Sequence, residues 1–373
     1  MKARRLSAIV LAACLSLTVH VQAQRTQTPP VESPVVNADR TVTFKLKAPN
    51  ASKVEVTTQF TKGNQPLTAD ANGIWSVTLG PAEPNLYPYN FIVDGVSVAD
   101  PGSPDIFPNE RFKSSLVDIP GDKPAIYAVK DVPHGELTYC FYTSKTLKRT
   151  RLLVIYTPPG YRAGAERFPV LYLVSGTTDT EETWTKVGKA NFILDNLIAE
   201  KRAVPMIIVM PYGNMMMGTP PPTSIQAADM YKVFNDELVT DVMPFVETNY
   251  RVLAEREKRA IAGFSRGGGQ SLFTGFNNLD QFAWIGSYSA YLTPEVFDKF
   301  FAPIAAKPEL ADSQLKLLWL GVGKDDFLYK QAVEFEEFLK QKNIKHSSLI
   351  TEGGHTWMNA RHYLAETLQL YFK

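Results

Sequence analysis

The stretch Ile261-Ala262-Gly263-Phe264-Ser265-Arg266-Gly267-Gly268-Gly269-Gln270 constrains the fold more than any other part of the chain. A serine with glycine two residues before and two after, entered through an apolar run, is the pattern of a nucleophile elbow. The turn from strand to helix is tight and strained, and side chains at the flanking positions would collide there. The helix that follows aims its N-terminal amides at the reaction centre, where they favour the oxyanion of acyl transfer. Gly-x-Ser-x-Gly is short and common, so its weight comes from its surroundings. Lys258-Arg259-Ala260-Ile261-Ala262 reads as a short buried strand, and Ser271-Leu272-Phe273 continues at helical spacing.

An elbow of this kind needs a parallel sheet around it. The chain has 373 residues, enough for two domains, one with a large core. A net charge of +1 offers no polyelectrolyte footprint and excludes nucleic acid as a partner. At the N-terminus, Lys2, Arg4 and Arg5 precede an apolar run over 6–21 that ends at Val21-Gln22-Ala23. This is the form of a secretory signal peptide over 1–23, shorter than the ~20 apolar residues a membrane span needs. A lipoprotein reading through Leu11-Ala12-Ala13-Cys14 ranks second, because the apolar run continues past Cys14. Removal of the leader leaves Cys140 alone, so no internal disulfide forms, and no other stretch approaches transmembrane length.

Residues 24–122 read as an all-β sandwich behind a Pro/Gln/Thr-rich leader. Thr41-Val42-Thr43-Phe44-Lys45-Leu46 and Lys53-Val54-Glu55-Val56-Thr57 alternate with period two, and Asp70-Ala71-Asn72-Gly73 and Asp94-Gly95 mark turns. Trp75, Tyr87, Tyr89 and Phe91 would suit a sugar platform, but aromatics alternating along a strand more commonly pack a core. The breaker Pro120-Gly121-Asp122-Lys123-Pro124 places the boundary. Residues 123–373 then alternate strands with helices. Strands are expected over 137–142, 150–157, 168–176, 206–211, 258–262, 284–288 and 315–320, and helices over 190–199, 237–250 and 329–342. This describes an α/β architecture with a mostly parallel sheet.

Four histidines remain after the leader: His134, His346, His355 and His362. Hydrolases built on such an elbow order their residues Ser, acid, His along the chain. His355 fits, in the glycine loop Glu352-Gly353-Gly354-His355-Thr356-Trp357 after a short strand. The acid belongs in Gly323-Lys324-Asp325-Asp326, where the spacing leaves Asp325 and Asp326 both open. The oxyanion hole would draw on the amides of Arg266 and Thr177. Trp184 and Trp357 are candidate walls of the acyl pocket, and Met215-Met216-Met217 lies in a Gly- and Pro-rich loop of the kind that gathers substrate contacts. No metal-ligand spacing and no phosphate cradle occurs, so no cofactor is expected.

Val132-Pro133-His134-Gly135, Tyr156-Thr157-Pro158-Pro159-Gly160-Tyr161, Asn191-Phe192-Ile193-Leu194-Asp195-Asn196, Ala262-Gly263-Phe264-Ser265-Arg266-Gly267-Gly268 and Gly353-Gly354-His355-Thr356-Trp357 carry a resemblance. Residues 125–373 resemble the feruloyl esterases of carbohydrate esterase family 1, within the wider group related to enterochelin esterase. Residues 38–120 resemble early-set, immunoglobulin-like domains related to carbohydrate-binding module family 48, through Gly73-Ile74-Trp75, Leu86-Tyr87-Pro88-Tyr89 and Val93-Asp94-Gly95. The resemblance implies an α/β-hydrolase fold, a Ser265–His355–acid triad in which Asp326 is favoured over Asp325, and ferulate esters of plant xylan as substrate. Where the family usually has His-Gly at the oxyanion strand, this chain has Ser175-Gly176. Acetyl xylan esterase, siderophore esterase and a carbohydrate-binding protein with a degenerate esterase domain are the alternatives. All candidate catalytic residues lie past the breaker, which implies a sandwich outside the chemical machinery.

Overall fold

The computed structural model describes residues 31–215 and 224–373. The expected leader at 1–23, with Cys14, and Met216 and Met217 lie outside these residues. Two antiparallel sheets come first. One orders Val35–Val36, Val42–Lys47, Ile74–Leu79 and Thr68–Ala69. The other orders Gln65–Pro66, Val54–Thr58, Asn85–Val93, Ser114–Ile119 and Ile106–Phe107, with Val96–Val98 paired on Asn85–Val93. The inward residues of both sheets share one core that includes Phe44, Val56, Tyr89, Phe91 and Ile119. The expected period-two alternation is visible in Val42–Lys47, whose residues are in turn buried and less buried. Tyr87, Tyr89 and Phe91 are buried, and the Trp75 indole donates to the Ala48 carbonyl at 2.9 Å. These aromatics pack the sandwich.

The third sheet has eight strands: β1 (Glu136–Ser144), β2 (Arg149–Thr157), β3 (Val170–Val174), β4 (Ile207–Pro211), β5 (Arg259–Phe264), β6 (Trp284–Tyr288), β7 (Leu317–Gly323) and β8 (Ser347–Thr351). Their spatial order is β1-β2-β4-β3-β5-β6-β7-β8. β1, β2 and β4 pair antiparallel, and all pairs from β4 to β8 are parallel. β3, β4, β5 and β6 are buried at every position, as near-continuous apolar strands covered on both faces must be. One face carries helices α1 (Ala190–Ala199) and α5 (Trp357–Leu368), whose Ile193, Leu197, Tyr363 and Leu364 join one core. The other carries α2 (Ser224–Glu237), α3 (Arg266–Asn277) and α4 (Tyr329–Gln341), with Phe234, Leu272, Phe273, Phe335 and Leu339 in a second core. This is the expected α/β-hydrolase architecture. Because β3, β5, β7 and β8 run parallel, the loops after them gather at one edge of the sheet.

The helix expected over 237–250 is present but starts earlier, at Ser224, and runs through a π-turn at Leu238–Val242 before continuing over Met243–Asn249. Pro244 provides no amide to close an i→i−4 bond there. The two layers of the chain also interlock. Arg361 on α5 is buried and donates to the Leu86 carbonyl of the sandwich at 3.1 Å and to the Val187 carbonyl at 2.8 Å.

Candidate active site

β5 delivers Ser265 into a turn with φ 57° and ψ −122°, a conformation that costs a non-glycine residue about 1–3 kcal/mol. The surroundings hold it there. The Ser265 amide donates to the Tyr288 carbonyl of β6 at 2.8 Å, and the Ser265 carbonyl accepts from the Gly269 amide at 3.1 Å. The glycines are steric necessities. A Cβ on Gly263 would stand 2.5 Å from the Gly267 carbonyl oxygen, and one on Gly267 would stand 2.3 Å from the Val174 carbonyl oxygen at the end of β3. All these neighbours are backbone atoms of the sheet and elbow, which cannot yield cheaply.

His355 sits on the short loop between β8 and α5. Gly353 makes that loop's turn at φ +83°, Asn359 Nδ2 holds the Glu352 carbonyl at 2.8 Å, and Thr356 caps α5. The His355 Nδ1 meets both oxygens of Asp326, at 3.0 and 2.9 Å. Asp326 is 5% exposed. Burial pushes its carboxyl up, but the bonds from His355 and from the Leu328 amide outweigh this and leave it below the usual carboxylate range. Asp325 is exposed, and its amide donates to the Gly353 carbonyl at 2.9 Å. The structure thus brings Asp326 to His355 and leaves Asp325 in solvent. The His355 ring lies against Phe264, centroids 4.8 Å apart, next to Ser265 in the chain. The ring also meets Phe327, a 71% exposed aromatic, with centroids 4.5 Å apart.

The loop after β3 borders the serine: a Cβ on Gly176 would come within 3.4 Å of the Ser265 Cβ. Ser175, at the position where the resembling family has histidine, is buried and turned inward, where its hydroxyl donates to the Thr180 carbonyl at 3.0 Å and closes the loop. Thr177 is exposed, and its amide meets no acceptor among the described residues. Arg266 opens α3, so its amide is one of those a helix leaves without an intrahelical partner.

The expectation that Trp184 and Trp357 wall the acyl pocket needs correction. Trp184 is fully buried and Trp357 is 7% exposed; the rings pack on each other, centroids 4.8 Å apart, and Trp357 backs onto Phe264. Trp184 presents no surface to a substrate and Trp357 only an edge. The remaining histidines sit apart: His134 bonds Asp195 at 2.9 Å, His346 bonds the Ile344 carbonyl, and His362 is on the exposed side of α5.

A polar group beside the elbow joins residues of the 107–112 stretch to Asp179, Tyr212 and Asn214, which the sequence does not single out. Asp179 is buried and accepts from the Gly176 amide at 3.1 Å and from Asn109 Nδ2 at 3.3 Å. Glu110 accepts from the Tyr212 hydroxyl and from Asn214 Nδ2 at 2.7 Å. Asn109 and Glu110 belong to the sandwich, within the stretch 107–112 from which a sandwich contribution would be expected, so the sandwich reaches the loops that border the elbow. The only hint in the sequence is a polar loop, Pro108-Asn109-Glu110-Arg111, between two short strands.

Residues 144–370 match the family described as putative esterase. The chain belongs to this family. It is 31% identical over 359 residues, 92% of its length, to an endo-1,4-beta-xylanase/feruloyl esterase of Xylanibacter ruminicola, of which it covers 46%. A Mycobacterium tuberculosis esterase, Rv1288, is 29% identical over 55% of this chain, which covers 42% of that protein. The chain thus spans about half the length of these curated relatives. Among solved structures, the enterobactin esterase of Shigella flexneri superposes with a TM-score of 0.63 at 16% identity, over 89% of this chain and 93% of that one. That likeness is one of fold, and it extends over both the sandwich and the α/β sheet.

Proposed function

We propose that the chain is a secreted serine esterase that hydrolyses hydroxycinnamoyl esters on plant cell-wall xylan through an acyl-enzyme. The observation that carries this reading is the Asp326–His355 pair, in which Nδ1 faces both carboxylate oxygens, at the ends of β7 and β8, on the edge where β5 presents Ser265 in a strained turn. Asp326 fixes the proton on His355 Nδ1, which leaves Nε2 to take the Ser265 hydroxyl proton as the oxygen attacks the ester carbonyl. The amides of Thr177 and Arg266 take up the developing negative charge. As the tetrahedral adduct collapses, the alcohol leaves with the proton from Nε2. Water then loses a proton to Nε2 as it attacks the acyl-serine, and that proton returns to Ser265. Secretion rests on the leader at 1–23, and the sandwich, resembling carbohydrate-binding module family 48, acts as the substrate-side domain.

The feruloyl reading draws on the Xylanibacter relative and on the motifs that the chain shares with feruloyl esterases. A catecholate siderophore ester is the second reading, favoured by the enterobactin esterase likeness across both domains. A panel of methyl ferulate, acetylated xylan, an aryl acetate and a catecholate tri-ester, assayed with the purified chain, tests both. Turnover of methyl ferulate at the highest kcat/KM supports the proposal. Preference for the tri-ester replaces it with the second reading, and no turnover of any ester leaves a degenerate, glycan-binding domain.

A further inference from the structure

The loop 108–113 of the sandwich leaves its own sheet and joins the loop after β3. Asn109 forms an antiparallel bridge with Asp179, the Glu110 amide donates to the Thr178 carbonyl at 2.7 Å, and Thr183 Oγ1 donates to the Pro108 carbonyl at 3.0 Å. The Glu110 carboxylate then spans to the loop after β4, taking the Tyr212 hydroxyl on one oxygen and Asn214 Nδ2 at 2.7 and 2.8 Å. Arg266 lies within this polar group. Its Nη2 donates to the Gly176 carbonyl at 2.8 Å, and its Nε is enclosed with no acceptor among the described residues. Burial pushes the guanidinium's pKa down, and the charge of Glu110, then that of Asp179, opposes this only in part. Arg266 Nη2 lies beside Gly213, where an added Cβ would stand 3.5 Å from it, and the flanking Tyr212 and Asn214 side chains hold the Glu110 carboxylate.

The Gly176 carbonyl and the Thr177 amide belong to one peptide unit. A trans peptide is planar, with its C=O and N–H pointing to opposite sides. A guanidinium fixed on the oxygen therefore fixes the direction of the N–H on the other side. It also draws electron density toward that oxygen and makes the N–H a stronger donor, because hydrogen bonds in series polarise one another. The Gly176 oxygen also accepts from the Asp179 amide at 3.3 Å, so Arg266 shares in holding the Thr177 donor from behind, and the Glu110 carboxylate acts on Arg266 through its charge and through the loop after β4.

We propose that the Arg266 guanidinium is a positioning residue for the Thr177 oxyanion donor and that Glu110, supplied by the N-terminal sandwich, holds Arg266 in that role. The sandwich is then part of the catalytic unit for every substrate, including esters too small to reach a glycan surface. This rests on the serine esterase reading above.

The test uses the full chain with Glu110→Gln, Arg266→Lys, Arg266→Gln and the pair Glu110→Gln/Arg266→Gln. Exposed Arg111→Ala in the same loop is the control. For each, kcat and KM are measured on an aryl acetate, together with the affinity for a boronic acid that forms a tetrahedral adduct and for ferulate as a ground-state ligand. Removing a direct oxyanion donor from a serine hydrolase such as subtilisin lowers kcat by about 10²–10³-fold, so loosening one indirectly should cost about 10-fold. Glu110→Gln and Arg266→Gln should each lower kcat and boronate affinity by about 10-fold, with KM and ferulate affinity within about 2-fold. The double variant should be little worse than either single, and Arg266→Lys should recover part of the loss, since an ammonium can also donate to the carbonyl. Parallel losses in ferulate affinity and melting temperature would mark a structural role and overturn the proposal, as would unchanged kcat in Glu110→Gln. Ser265→Ala, run alongside, separates the two levels: turnover persisting there sinks the serine reading itself, whatever Glu110 does.

Discussion

Asp326→Asn isolates the carboxylate's part in the proposed chemistry. The substitution is isosteric, and its retained oxygen can still accept the Leu328 amide, a 2.8 Å bond in the wild type. The amide nitrogen, however, then faces His355 Nδ1, where two carboxylate oxygens now accept at 3.0 and 2.9 Å. An NH₂ group there donates to an unprotonated Nδ1 and repels a protonated one, so the substitution favours the tautomer with the imidazole proton on Nε2, against the single retained oxygen at 3.0 Å. A proton on Nε2 blocks acceptance of the serine proton. The equivalent change in a serine protease costs about 10⁴ in kcat, or about 5 kcal/mol of barrier, and a loss of that order is expected here. Asp325→Asn changes an exposed side chain and should stay within about 2-fold, as surface substitutions do. Initial rates on methyl ferulate across the pH range give kcat for both variants, and circular dichroism checks that each is folded. The reasoning fails if Asp326→Asn keeps more than about a tenth of wild-type kcat, or if Asp325→Asn is the more damaging of the two.

Other expectations follow from particular contacts. Gly267→Ala forces a Cβ to within 2.3 Å of the Val174 carbonyl oxygen, so it should destabilise by at least about 1–3 kcal/mol in urea unfolding and depress kcat as β3 and α3 part. Trp184→Ala should cost about 3–5 kcal/mol of stability, because a fully buried indole is removed; a small loss would restore it as a candidate pocket residue. Burial pushes the Asp179 carboxyl up to about 7, against the opposing influence of Arg266, the Gly176 amide and Asn109, with Glu110 adding to the rise. The folded chain therefore holds a proton that the unfolded chain has lost between about pH 4 and pH 7, and stability declines as pH rises through that window. Asp179→Asn should remove this decline, gaining stability relative to wild type at about pH 8 over about pH 4.5; equal differences at both would refute it.

The strands of the α/β sheet were legible because parallel strands buried on both faces are continuous apolar runs. Phe168-Pro169-Val170-Leu171-Tyr172-Leu173-Val174 and Trp284-Ile285-Gly286-Ser287-Tyr288 announce themselves in this way. The segment 294–314 did not. Its three short helices, Pro294–Phe300, Ala302–Ala306 and Glu309–Gln314, each have a proline at or beside their start and are too brief to show a period. Ser265 and His355 stand in glycine loops with recognisable local grammar. The spacing of the adjacent pair Asp325-Asp326 does not choose between them; the family resemblance favours Asp326, and the strand-end geometry shows which side chain is buried and which exposed. Trp184 and Trp357 misled for a related reason: an aromatic next to a catalytic loop has the same sequence signature whether it lines the pocket or supports it from behind. Glu110 meets Tyr212 and Asn214 across about a hundred residues of chain, a contact created by the docking of two domains, and no periodicity or motif encodes it.

The central claim is that Ser265 becomes the acylated nucleophile. Peptide mapping after exposure to a fluorophosphonate tests it most directly, because such a probe phosphonylates only a serine activated by its own base. The account predicts a single modified peptide carrying the label on Ser265, activity lost in proportion to labelling, no label in Ser265→Ala and much slower labelling in His355→Ala. Label on another residue, or an enzyme that hydrolyses esters while Ser265 stays unmodified, would contradict it.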